Sequence, residues 1–194
     1  MSTIVVSHML ATTGDTLWYP SLRTALAPEG HEVRIPDLPD PETPRPEAWL
    51  KALVAEADPA AAPDTVLVGH SLGGVNVLRL LQEHDTDTYG PYAGVVLVAS
   101  MAKEVGYEAL ADFFEPGFDW GRIRRAVREV RVLHAVDDPV TGDATPEHLV
   151  SFARDLGATV TLTPEGGHFP TWGVELTELP QALRLVREVL PAAE

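Results

Sequence analysis

The chain has no cysteine. A thiol nucleophile, a disulfide framework and thiolate metal ligation are thereby excluded, so covalent catalysis would have to use an oxygen or an amine. Basic residues are scarce: 14 Lys and Arg stand against 29 Asp and Glu, a net charge of −15. That balance speaks against nucleic acid or an anionic membrane as partner. No apolar run approaches the roughly 18 residues a membrane span needs. The opening Met1-Ser2-Thr3-Ile4-Val5-Val6 also lacks the basic region of a signal peptide, so a soluble, cytoplasmic protein is expected. HExxH, paired-carboxylate metal spacings and a G-x-G-x-x-G after a strand are missing too, and neither a metal nor an organic cofactor is expected.

What is present describes an ordinary globular chain. Its 194 residues are 45% hydrophobic and 22% charged. This length suits a single domain, 1–194, without a separate lid, able to bury roughly 70% of the surface its unfolded chain exposes. Short apolar runs alternate with helical patterns along it, which marks a parallel sheet covered on both faces. Strands are expected at Thr3–Ser7, Glu32–Ile35, Thr65–Val68, Gly94–Ala99, Val130–Val136 and Thr159–Thr163. Helices are expected near Trp18–Leu26, Pro46–Ala57, Ser71–His84, Thr145–Leu156 and Leu179–Leu190, and the proline-rich stretch Pro36–Pro46 is expected as a loop. Right-handed crossovers favour an α/β, three-layer, doubly wound and mostly parallel six-stranded sheet of order 2-1-3-4-5-6.

The most informative stretch is Gly69-His70-Ser71-Leu72-Gly73, a G-x-S-x-G between the β-branched run Val66–Val68 and the helical pattern after Gly74. Strand, tight turn and helix are the context of a nucleophile elbow, in which glycines two before and two after the serine leave room that a Cβ would fill. Ser71 then stands at the helix N-terminus, whose free N–H groups can help hold a developing oxyanion, with Leu72 N–H the nearest donor.

A serine hydroxyl needs an imidazole to take its proton and an acid to orient that imidazole. His168 is the best-placed histidine, because it follows the last strand in Gly166-Gly167-His168-Phe169-Pro170. His8 follows the first strand and could face the same site; His70, beside the serine, is expected to pack or hydrogen-bond behind it. His31, His84 and His148 look exposed, and His134 looks structural. Asp138 is the favoured acid, since Pro139 fixes the loop behind it, with Asp137 as the fallback. The order Ser71, Asp138, His168 is that of α/β-hydrolases.

Beyond these motifs, Trp18-Tyr19, Pro36-Asp37-Leu38-Pro39-Asp40-Pro41, Trp49, Asp137-Asp138-Pro139 and Gly167-His168-Phe169 occur in an order that runs along nearly the whole chain. With them the chain resembles the α/β-hydrolase superfamily, and within it the compact, capless serine hydrolases that include retinoblastoma-binding protein 9. The resemblance implies a minimal α/β-hydrolase fold, with nucleophile, acid and base at Ser71, Asp138 and His168. One stretch departs from the family pattern: a glycine-rich turn is usual after the first strand, and Ser7-His8-Met9-Leu10-Ala11-Thr12-Thr13-Gly14 stands here. The second oxyanion N–H then falls to Met9 or Leu10.

The function expected is acyl transfer from a small carboxylic ester, amide or thioester to Ser71 and then to water, an activity of carboxylesterase type on a small-molecule substrate. A non-hydrolytic cyclisation or elimination using His168, Asp138 and His8 is the alternative within the fold, and a binding protein with a vestigial site is the alternative outside enzymes. The segment Tyr107–Trp120 is expected to pack as a helix on the sheet or to line the acyl pocket through Phe113 and Phe114, with Trp18, Tyr19, Phe169 and Trp172 as further pocket walls.

Overall fold

In a computed structural model that describes residues 1–192, the chain folds around a six-stranded sheet of order β2-β1-β3-β4-β5-β6. The strands are β1 (Thr3–Ser7), β2 (Glu32–Arg34), β3 (Thr65–His70), β4 (Tyr92–Val98), β5 (Val127–Ala135) and β6 (Thr159–Thr163). Every pairing between neighbours is parallel. The helices are α1 (Tyr19–Leu26), α2 (Pro46–Glu56), α3 (Leu72–Glu83), α4 (Thr86–Tyr89), α5 (Trp120–Arg125), α6 (Thr145–Ser151) and α7 (Pro180–Val189). After α6 the chain widens into a π-turn, Phe152–Leu156, so the helix expected over that whole stretch is kept in two forms.

The strands form because their side chains are apolar on both sides, as a doubly covered parallel sheet requires. Alternation sorts them: Ile4, Val6, Val66, Val68, Val96 and Val98 face a core closed by α1 and α7, with Trp18, Leu22, Leu26, Leu185 and Val186. Val5, Leu67, Val95, Leu97 and Val132 face the other core, with Leu53, Leu78, Ile123 and Phe152 from α2, α3, α5 and the π-turn. At the sheet's carboxyl edge a smaller cluster, Leu38, Trp49, Leu72, Val75, Met101 and Phe113, underpins the loops.

Strand edges differ from expectation where pairing outruns the apolar run. β3 continues through Gly69 and His70 because Ser7 and Val98 on the flanking strands pair with them. The segment after Tyr107 is not an α-helix lying on the sheet: a short 3-10 helix of two turns, Glu108–Phe113, leads into Pro116 and Gly117 before α5 begins. Proline cannot continue the helix's hydrogen bonding and glycine breaks it. Arg79 on α3 holds this segment in place, donating from Nε to Phe113 O at 3.0 Å and from Nη1 to Gly117 O at 2.6 Å, with its guanidinium 4.4 Å from the Phe118 ring centroid.

Candidate active site

The winding of the sheet reverses between β1 and β3, and the chain leaves β3 there through Ser71. This residue has φ 54° and ψ −124°, a backbone conformation that costs a non-glycine residue on the order of 1–3 kcal/mol. The turn closes only because its neighbours lack side chains. A Cβ on Gly69 would overlap the backbone of Gly74, and one on Gly73 would overlap the carbonyl oxygens of Ser7 and His8. Ser71 N–H donates to Val98 O at 2.9 Å and Ser100 Oγ donates to Ser71 O at 3.2 Å, which pins the turn to the end of β4.

Three side chains from separate strand ends meet above this turn. Ser71 Oγ lies 2.7 Å from His168 Nε2, and His168 Nδ1 lies 3.0 and 2.9 Å from Asp138 Oδ1 and Oδ2. Asp138 accepts a further N–H from Val140 at 2.8 Å. All three are buried, Asp138 to 1% exposure. Burial by itself would raise the Asp138 carboxyl, but the hydrogen bonds from His168 and Val140 and the nearby imidazoles outweigh it and hold the group below its usual range. It stays ionised, and with its bond to Nδ1 it orients the ring so that Nε2 faces the serine. The neighbouring Asp137 has a different position: its Oδ1 accepts Gly167 N–H at 2.8 Å, tying the His168 loop to the end of β5.

Behind the trio lies a second hydrogen-bonded string. Met9 N–H donates to Tyr19 Oη at 3.1 Å, and Tyr19 O–H donates to His70 Nδ1 at 2.7 Å. His70 Nε2–H then donates to His168 O at 2.8 Å. Both nitrogens of this fully buried ring are engaged in the neutral form. Burial first, then the neighbouring His168, pushes its pKa down to about 3. His134, in β5, is also buried; its Nε2 is 3.6 Å from Asp138 Oδ2 and has no hydrogen-bond partner among the described residues.

The oxyanion donors separate clearly. Leu72 N–H opens α3 and follows the serine. Met9 N–H is already committed to Tyr19, whereas Leu10 N–H has no acceptor among the described residues. Of the two candidates in this turn, Leu10 is therefore the one left to donate, and Met9 is corrected to an anchor of the turn. A pocket of about 330 Å³ opens directly over these groups, lined by Ser71, Leu72, His168, Met9, Leu10, Leu17, Met101, Val105, Tyr107, Leu110, Phe114, Val140, Pro170 and Trp172 among others, and nearly all of that wall is apolar. No cluster of three or more His, Asp or Glu side chains able to hold a metal ion exists among the described residues. No helix among them is long and apolar enough to cross a membrane.

A profile of the serine hydrolase family matches residues 4–188. The chain belongs to the serine hydrolase family. It is 29% identical over 167 residues to YdeN of Bacillus subtilis (strain 168), a protein named as a hydrolase of no stated substrate, and the match covers 86% of this serine hydrolase and 85% of that one. The crystal structure of the B. subtilis ydeN gene product superposes with a TM-score of 0.85 at 24% identity, over 97% of this chain and 98% of the other. A protein from Xanthomonas campestris pv. campestris described as a hydrolase of the α/β superfamily gives a TM-score of 0.66 at 18% identity, with 97% of each chain covered. Est1E from Butyrivibrio proteoclasticus, solved with ferulic acid bound, gives 0.68 at 12% identity, covering 97% and 87%. The fold is a minimal α/β-hydrolase fold.

Several pocket expectations need correction for this serine hydrolase. Phe114 and Trp172 line the pocket, but Trp18, Tyr19, Phe113, Phe169 and His8 do not. Trp18 and Phe169 belong to the core against α1, joined by Trp18 Nε1–H donating to Phe169 O at 3.3 Å. Tyr19 is buried in the string behind the site, and Phe113 packs edge-on against Trp49 at 5.6 Å. His8 accepts Leu38 N–H at Nε2 (2.8 Å) and donates from Nδ1 to Met9 O (2.9 Å), so neither nitrogen is free for proton transfer. His84 and His148 are buried rather than exposed; His148 accepts Ala102 N–H at Nδ1 (3.0 Å), and burial pushes its pKa down to about 4. The wall residues missed from the sequence, Met101 and Val105 above all, directly follow β4. The same strand-end rule that located Ser71 would have located them.

Proposed function

We propose that this serine hydrolase transfers the acyl group of a small carboxylic ester, amide or thioester to Ser71 and then to water, as one domain without a separate lid. The observation that carries this is the 2.7 Å approach of His168 Nε2 to Ser71 Oγ with Asp138 bonded to the far side of the ring. The motif order shared with the compact hydrolases that include retinoblastoma-binding protein 9 points the same way.

Ser71 Oγ attacks the substrate carbonyl carbon as its proton passes to His168 Nε2. The carbonyl oxygen becomes an oxyanion held by Leu72 and Leu10 N–H, and Asp138 stabilises the imidazolium. Collapse breaks the bond to the leaving group, which takes the proton from Nε2. Water then repeats the sequence on the acyl-serine, returning a carboxylic acid and free Ser71. The oxyanion donors are worth about 3 kcal/mol each in transition-state stabilisation, so loss of either lowers turnover by two to three orders of magnitude.

The test is covalent labelling with a fluorophosphonate, read by intact mass. The expected outcome is one adduct on Ser71, absent from Ser71→Ala, whose ester turnover falls by at least about 10³-fold. Asp138→Asn is expected to fold normally and lose on the order of 10⁴-fold in kcat, because the imidazole then adopts the wrong tautomer. Folded protein that takes no label and hydrolyses no ester would overturn the proposal.

A further inference from the structure

We infer that the substrate's acyl group is uncharged, apolar and of medium length, and that Glu104 at the pocket wall disfavours acyl groups carrying a negative charge. This inference rests on the acyl-transfer reading of Ser71 and specifies what that reading leaves open.

Size comes first. A pocket of about 330 Å³ lies at the small end of the roughly 300–1,000 Å³ typical of small-molecule sites, which suits an acyl chain of medium length. Acetyl leaves most of it unfilled, and a long fatty acyl chain overruns it. Chemistry comes second. Met101, Val105, Leu110 and Phe114 present hydrocarbon, sulfur and ring faces that offer an incoming polar group no partner. Tyr107 is 50% exposed and Trp172 70% exposed at the pocket mouth, so large apolar surface there is covered only when an apolar group arrives. Position comes third. The leaving group has to face His168 Nε2 to collect its proton, and most of the apolar wall belongs to the loops after β1 and β4 rather than to the His168 loop, which assigns that wall to the acyl side.

Glu104 supplies the sign. It is the one carboxylate in the wall, no Lys or Arg among the described residues lines it, and its side chain is tethered by accepting the N–H of Gly106. Glu104 is solvent-exposed, so its repulsion of a carboxylate at the far end of the acyl chain is screened and modest; the larger penalty is that the apolar wall offers that carboxylate no cation or hydrogen-bond donor.

The experiment is a p-nitrophenyl ester series from acetate to palmitate, together with the p-nitrophenyl monoester of suberic acid, whose chain length equals octanoate but whose free end is anionic. Labelling of Ser71 by fluorophosphonate is measured in parallel. Each buried methylene is worth about fourfold, so kcat/KM is expected to rise at least 100-fold from acetate to octanoate and to fall by palmitate. The suberate monoester is expected to run at least 30-fold below octanoate. Glu104→Gln should narrow that gap several-fold without altering the preference between acetate and octanoate. Leu110→Trp, which fills the pocket, should move the optimum to butyrate or shorter. A labelled enzyme with a flat chain-length profile, or with suberate and octanoate used equally, overturns the inference while acyl transfer at Ser71 stands. Absence of both labelling and turnover overturns both.

Discussion

Ser71 holds its strained backbone because its surroundings permit no alternative, and the cost of altering them can be stated residue by residue. Gly73 lies against the carbonyl oxygens of Ser7 and His8, so a methyl group there has to displace the turn that carries Leu10. Gly73→Ala is expected to lower kcat/KM at least about 100-fold, the cost of misplacing one oxyanion donor; ester kinetics beside circular dichroism would show the loss in a folded protein. Tyr19 offers a second case. Its hydroxyl accepts from Met9 N–H and donates to His70 Nδ1, so Tyr19→Phe strands the buried His70 Nδ1 and the part-buried Met9 N–H. A stability loss of about 2 kcal/mol is expected in urea unfolding, with kcat reduced and KM little changed. Ser71, Asp138 and His168 could be picked out because each follows the end of a parallel strand, and the structure brings them within hydrogen-bonding distance. The aromatic residues could not be sorted in the same way. Trp18, Tyr19 and Phe169 occupy loops at the same edge as Trp172, yet a linear pattern does not reveal that three turn inward to the core while one stands over the pocket.

Among elements, the strands were the most legible, since continuous β-branched runs bounded by turn residues have few other uses. The segment between β4 and β5 was the least legible, because its conformation depends on a distant side chain: Arg79, buried in α3, caps the carbonyls of Phe113 and Gly117. Arg79→Met removes both bonds, and the pocket wall at Leu110 and Phe114 is expected to loosen. KM for an apolar ester should rise several-fold and hydrogen exchange should quicken in residues 107–118, with the exchange of β3 unchanged. Helix α7 depends on close approach. A Cβ at Gly94 in β4 would run into Val189, so Gly94→Val has to lift the helix from the sheet. A loss of about 3 kcal/mol in unfolding free energy is expected, as for overpacking elsewhere in a close-packed core.

Over the whole molecule, buried neutral imidazoles set how stability varies with pH. His70 has a folded pKa of about 3 and His148 of about 4, both below the unfolded value of 6.5. The unfolded chain therefore binds protons first as pH falls, and stability drops from pH 6.5 downward until the folded values are reached. Between pH 7.5 and 5 the two together remove on the order of 4 kcal/mol, or about 10 °C in Tm. Few carboxylates titrate in that window, so relief of the net charge of −15 does not mask the trend. A Tm that is level or rising from pH 7.5 to 5 would contradict these buried neutral rings. The same scale governs catalysis, since residues 71, 138 and 168 become neighbours only through the order of the sheet. Acid-quenched reaction of the protein with p-nitrophenyl octanoate, followed by mass analysis of its peptides, measures that most directly. An octanoyl group on the Ser71 peptide, absent from Ser71→Ala and formed as fast as the first p-nitrophenol is released, is the predicted result; octanoate released at an undiminished rate by Ser71→Ala would contradict it.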